Sequence, residues 1–171
     1  MKNVTQVLSE EHQIILKVID AVLHECRAIE NGKPFDSKYF IEVIDFIKNY
    51  ADKFHHAKEE DILFKAMLES IENLHCNPIP TMLHEHEAGR DYVKGMEEGL
   101  SISNANQVVE NAIGYCSLLQ NHIYKEDNVL YPMAEEALSD EEKDMVLKRY
   151  SQVEKSFTEN TSMDKYINFQ L

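Results

Sequence analysis

His55-His56-Ala57-Lys58-Glu59-Glu60-Asp61-Ile62-Leu63-Phe64 recurs 67 positions later as His122-Ile123-Tyr124-Lys125-Glu126-Asp127-Asn128-Val129-Leu130-Tyr131. Both copies read His-x-x-Lys-Glu, then two acidic or amide residues, then a β-branched residue, Leu and an aromatic. Residues four apart on an α-helix share a face, so each copy points an imidazole and a carboxylate the same way. A single pair of this kind is ordinarily an exposed ion pair. Two matched copies describe the halves of a dinuclear metal site.

The chain around the copies is helical. Val7, Leu8, Ile14, Ile15, Val18, Ile19, Val22 and Leu23 recur at helical spacing between about Val4 and Glu30, and Asn31-Gly32-Lys33-Pro34 stops that helix. Asp36 or Ser37 caps a second helix running to roughly Glu72, and Asn77-Pro78-Ile79-Pro80 breaks the chain. A third helix is expected from Thr81 to about Glu98, with a loop from Gly99 to Asn104. A fourth runs to near Tyr131, where Pro132 is expected to kink or interrupt it. Ser139-Asp140-Glu141-Glu142 has the form of a capping box and opens a shorter fifth helix to about Phe157. The last dozen residues show no period and read as a docked or disordered tail. The expected fold is all-α: one domain over 1–171, with an up-down-up-down four-helix bundle at about 4–137 and a C-terminal helix and tail at 138–171.

A looser repeat completes the pattern: Glu11-His12 in the first helix and Glu85-His86 in the third. The turn at Lys33 and Pro34 lies about 21 residues from both His12 and His55, so equal rise along two antiparallel helices sets them at one height. His86 and His122 straddle position 104 in the same way. Four helices thus each send one histidine to a common level, and two of them add Glu59 and Glu126. Burying such groups is costly unless something is held between them, and imidazole with carboxylate suits Fe, Mn or Zn better than Ca or Mg. Two bridging carboxylates account for the duplicated Glu. His84 points about 160° from His86, and His56 lies about 100° round from His55, at the edge of the site. His24 and His75 fit neither repeat. A ferritin-like site needs Glu-x-x-His on two helices, and only Glu72-Asn73-Leu74-His75 has that form.

Composition agrees with a bundle and narrows the partners. The 17 basic residues face 31 acidic ones, a net charge of −14, which repels phosphate backbones and argues against nucleic acid. Three scattered cysteines, Cys26, Cys76 and Cys116, suggest reduced thiols and a cytoplasmic setting. The N-terminal residues lack the apolar core of a signal peptide, and no apolar run approaches the ~20 residues of a membrane span. The oligomeric state is not encoded in any motif.

Together these residues resemble the hemerythrin-like, HHE cation-binding family over roughly residues 5–137. The segments from Met82 to Arg90 and from His122 to Pro132 are the most typical. The resemblance implies a four-helix bundle with two iron ions joined by an oxo or hydroxo bridge, Mn or Zn being alternatives. It makes His12, His55, His86 and His122 terminal ligands and Glu59 and Glu126 bridges. Oxygen-carrying members have a fifth histidine where this chain has Arg90, and an Asp where Asp127 stands beside the better-matching Glu126. The missing histidine argues against reversible oxygen carriage and for a reactive open position, unless His56 substitutes. Leu119 lies one turn before His122 and Tyr115 two turns before, so both should face the site. The expected function is a di-iron protein that binds or senses O2, NO or peroxide, or handles iron under oxidative or nitrosative stress. The alternatives are peroxidase- or oxidase-like turnover and a metal-free helical interaction module.

Overall fold

The structure, a computed structural model, describes residues 3–160 and 164–167, and among these there is no strand. Helix α1 spans Val4–Glu30 and is capped by Asn3, whose side chain accepts from the Gln6 amide at 2.7 Å. It ends at Gly32, whose φ of 98° is the left-handed turn that a Cβ would strain. Helix α2 covers residues 37–69 with Asp36 as its cap. It is α-helical over Ser37–Phe46, π-helical over Ile47–His56 and Glu59–Leu63, and α-helical again over Phe64–Glu69.

Helix α3 spans Ile79–Ser101, so the expected loop from Gly99 shortens to a turn around Ser103, the one described non-glycine residue with positive φ. Helix α4 covers residues 105–137: α-helical over Ala105–Lys125, π-helical over Glu126–Leu130, α-helical over Tyr131–Ala137. Pro132 therefore does not interrupt the helix as expected. It stands just past the π turn, in the first turn of the closing α segment, where the ladder is already being re-registered and its missing N–H costs least. Helix α5 spans Asp140–Asn160 and opens with the capping box: Glu142 accepts from the Ser139 amide at 2.7 Å, and Ser139 Oγ from the Glu142 amide at 3.3 Å. A short α6, Asp164–Ile167, docks Tyr166 into the core, with its hydroxyl donating to Asp45. The rest of the expected tail lies outside the described residues.

α1 to α4 make the bundle, and α5 lies against α1 and α2. Close approach of α3 and α4 depends on glycine: a Cβ at Gly114 would sit 2.3 Å from the Tyr92 ring. The apolar core is divided into two clusters. One gathers Ile15, Val22, Phe40, Phe54, Val93 and Leu119, and the other Leu8, Ile62, Leu63, Met82, Leu130 and Tyr150. Between them, at one level of all four helices, lies a layer of buried imidazoles and carboxylates.

Candidate metal centre

That layer contains His12, His55, His56, Glu59, His86, His122 and Glu126, each no more than 6 % exposed. The groups form two sets whose candidate ligand atoms lie within 4.8 Å of one another: His12, His55, Glu59 and Glu126, and His56, Glu59, His86 and His122. Each helical hairpin gives both of its level histidines to one set. The glutamates face both. Glu59 Oε2 lies 3.8 Å from His55 Nε2 and 3.5 Å from His86 Nε2. Glu126 lies 3.3 Å from His12 Nε2 and 3.1 Å from His122 Nε2. Each glutamate thus faces histidines of both sets.

A surrounding ring of carboxylates sets the imidazole tautomers. His12 Nδ1 meets Asp127 at 3.0 Å, His55 Nδ1 meets Glu11 at 2.9 Å, His86 Nδ1 meets Glu60 at 2.7 Å and His122 Nδ1 meets Glu85 at 2.9 Å. A carboxylate accepts from Nδ1–H, so each Nε2 is left to present its lone pair inward, as metal-binding histidines do. The two lysines of the repeat close this ring: Lys58 pairs with Glu11 and Lys125 with Glu85. The repeat now accounts for itself residue by residue. Its second acidic residue, Glu60 or Asp127, holds a histidine of the other hairpin, and its lysine anchors the carboxylate that holds its own.

What the ring leaves over could hold a cation. His55 Nε2, Glu59 Oε2 and both Glu126 oxygens are buried with no hydrogen-bond partner. Lone pairs facing lone pairs at such distances repel unless a proton or a metal ion lies between them. The donor set, imidazole nitrogen with carboxylate oxygen, suits Fe, Mn or Zn.

Glu59 and Glu126 each open a five-residue π turn, closed by Phe64 N–H donating to Glu59 O and Tyr131 N–H to Glu126 O. Single π turns are rare in α-helices and cluster at functional sites, because the extra residue re-aims side chains. The same widening over Ile47–His56 explains the position of His56. A π turn holds more residues than an α turn, so successive side chains diverge by less than 100°, and His55 and His56 both reach inward. The His56 ring stacks on His86 with centroids 3.9 Å apart. The repeat has Ile123 in its place.

The closing aromatics also differ. Phe64 lies over His86, with ring centroids 6.0 Å apart. Tyr131 stacks on His12 at 5.4 Å and donates its hydroxyl to Glu59 Oε1 at 2.6 Å, 3.3 Å from His12 Nε2. The two positions are thus unlike: three histidines at one, two histidines and a neighbouring phenol at the other. Sequence reasoning passed over Tyr131, although the contrast between Tyr131 and Phe64 inside the repeat was a visible signal.

Burial works against charge on these imidazoles, yet in the protein without metal their carboxylates win. Against the burial penalty, the Asp127 hydrogen bond and the nearby Glu126 carboxylate bring His12 up to about 10, and the Glu60 hydrogen bond and the nearby Glu59 carboxylate bring His86 to about 10. His122 is raised by Glu126 despite its burial. His56 goes the other way: burial and the neighbouring His86 charge take it down to about 3. Burial and the Glu59 charge push the Tyr131 phenol well above its ordinary value, so it remains a donor.

The other expected residues divide. Asp127 supports His12 and belongs to neither ligand set. Arg90 lies outside both sets, held by Asp52 at 2.7 Å and Glu60 at 2.8 Å. Tyr115 and Leu119 are buried and line a cavity on the His56 and His86 side. His24, His75 and His84 are exposed and away from the layer. His75→Ala is therefore expected to leave metal content unchanged by elemental analysis, and metal loss in that variant would contradict the site as drawn.

A family model describing the hemerythrin HHE cation binding domain matches residues 3–134. No curated protein and no solved structure matches the chain.

Proposed function

Because the chain belongs to the hemerythrin HHE cation-binding family, we propose that it holds two iron ions in the buried layer and uses them to bind or sense O2, NO or peroxide, or to handle iron under oxidative or nitrosative stress. The observation that carries this reading is the convergence of unpartnered lone pairs on His55, Glu59 and Glu126. His12 and His55 would serve one ion and His56, His86 and His122 the other; Glu59, present in both sets, would serve both, and so would Glu126, which belongs to the first set and lies 3.1 Å from His122 of the second. When bound, such a pair supplies Lewis-acid and redox chemistry toward a small ligand. The chain's own part is to fix the imidazoles through Asp127, Glu11, Glu60 and Glu85, and to keep bulk water out with the two apolar clusters. Tyr131 holds a proton on its hydroxyl against Glu59 at the two-histidine position, ready to be offered to a ligand arriving there.

Metal analysis tests the reading first. The purified protein is expected to carry close to two irons per chain, with near-ultraviolet charge-transfer absorption from paired ferric ions. Protein that folds fully and takes up no iron would leave the interaction-module reading in its place. Turnover of added peroxide or NO, with the iron returning to its starting state, would favour the enzymatic reading over simple binding. His56 gives an internal check on the unequal positions. His56→Ala is expected to lose roughly half the metal, because only one set contains it. Retention of both ions in that variant would remove His56 from the proposed ligands.

A further inference from the structure

On the side of the layer occupied by His56 and His86, a cavity of about 130 Å³ reaches inward between α2, α3 and α4. A diatomic gas or a peroxide needs little more room than a water molecule, whose share of liquid volume is about 30 Å³. An apolar protein cavity of about 150 Å³ holds benzene. The size here is that of a small ring. Much of the wall is apolar, built by Ile47, Val93, Leu119 and the Tyr115 ring, and Gly89 contributes no side chain to it. Two lining residues carry a buried polar atom with no hydrogen-bond partner in the protein: His56, whose Nδ1 lies 3.4 Å from Asp52, and Tyr115, through its hydroxyl. Burial keeps that phenol protonated, so it offers a hydrogen to an acceptor.

We propose that this cavity is the binding site of a small organic molecule of about six to eight non-hydrogen atoms, apolar in body and carrying one carbonyl or hydroxyl oxygen that accepts from Tyr115. Its place beside His56 and His86 would make it the organic co-substrate or effector of the centre; that role rests on the proposed function, whereas the binding itself does not. The charged residues that also line the cavity pair with one another, Lys48 with Glu97 at 2.7 Å and Arg90 with Asp52 at 2.7 Å, which argues against an ion as the occupant. The unsatisfied hydroxyl selects for an oxygen over a plain hydrocarbon, because only the former removes the cost of a lone buried donor. His56 and the cavity are on the same side of the layer. The histidine that breaks the repeat's symmetry lines the cavity together with His86.

Cyclohexanone, with methylcyclohexane as its apolar twin, probes the site by NMR titration of the full-length protein, with and without metal. Saturable one-to-one cyclohexanone binding is expected, with shifts confined to the wall residues. Tyr115→Phe is expected to weaken cyclohexanone about tenfold, the worth of one hydrogen bond, and methylcyclohexane not at all. Gly89→Leu should abolish binding of both while leaving metal content unchanged. Gly89→Ala guards against misfolding: a Cβ there meets the Tyr115 ring at an ordinary 3.6 Å, so this variant folds and binds both probes more weakly. Non-saturable binding, an equal loss for both probes in Tyr115→Phe, or unchanged affinity in both Gly89 variants would overturn the proposal. Binding by protein that takes up no metal would uphold the cavity and remove the proposed iron function instead.

Discussion

Glu59→Gln is expected to take the protein from about two bound ions per chain to nearly none, and with them the stabilisation that metal confers. Glu59 is the only residue present in both ligand sets, and its Oε2 faces a histidine of each hairpin. An amide keeps the volume of the side chain and can still accept from Tyr131, so packing is preserved and the charge alone is lost. Without the charge each position loses one of its two carboxylates, and the two keep only Glu126 in common. Metal that binds the folded chain and not the unfolded one contributes its binding energy to folding, on the order of 10 kcal/mol for a tightly held structural ion. That matches the whole stability of an ordinary domain. Denaturant unfolding with and without metal measures the difference: large for the natural chain, close to zero for Glu59→Gln. Glu126→Gln and His55→Ala are expected to follow it. If Glu59→Gln kept its two ions, the bridging role would be wrong, and the layer would have to be read as two separate sites.

The bundle could be read from the sequence because its rules are local and periodic. Apolar spacing, the capping residues Asp36 and Ser139, and the Gly32 turn each specify helix limits without reference to the rest of the chain. The level of the four histidines followed from equal rise along antiparallel helices, which holds whether or not a turn is locally wide. Direction around the axis is less forgiving. It accumulates about 100° per residue only while the backbone stays α-helical, and α2 leaves that geometry at Ile47. A count along an ideal helix therefore set His56 at the edge of the site, whereas the structure stacks it on His86.

Nor does a sequence distinguish an acidic residue in water from one that holds a histidine. Glu60, Asp127, Glu11 and Glu85 are four among 31 acidic residues, in a chain whose charge is explained well enough by solvation. Their common role appears only when both copies of the repeat are seen face to face. Tyr131 was hidden for a related reason. A conserved class, aromatic, at the end of both copies reads as packing, and the oxygen that distinguishes Tyr131 from Phe64 acquires meaning only beside Glu59.

The same crowding of carboxylates around imidazoles should make the protein without metal lose stability as pH rises through the neutral range. Asp127, Glu126, Glu59 and Glu60 hold His12 and His86 protonated to about 10, whereas both lose their protons near 6.5 when unfolded. Between those limits the folded chain binds more protons than the unfolded one. Its stability is fully present below about pH 6.5 and declines upward, on the order of 1 kcal/mol per pH unit for each histidine. His56, taken down to about 3, is neutral in both states across this window and adds no slope there; below pH 6.5 it opposes folding, because only the unfolded chain then protonates it. Cys26 and Cys116, pushed up to about 11 and about 12 by burial, steepen the decline only where unfolded thiols begin to ionise, so the histidine effect is read between about pH 6.5 and 8. Metal reverses the sign. It competes with protons for the Nε2 atoms, so its affinity, and the stability it confers, should rise across the same window. Urea unfolding at several pH values, with and without bound metal, is expected to give slopes of opposite sign. His86→Gln should flatten the metal-free slope, since one of the three raised histidines, His12, His86 and His122, is gone. A metal-free protein whose stability rose from pH 6.5 to 8 would show that the imidazoles are not held as cations between these carboxylates.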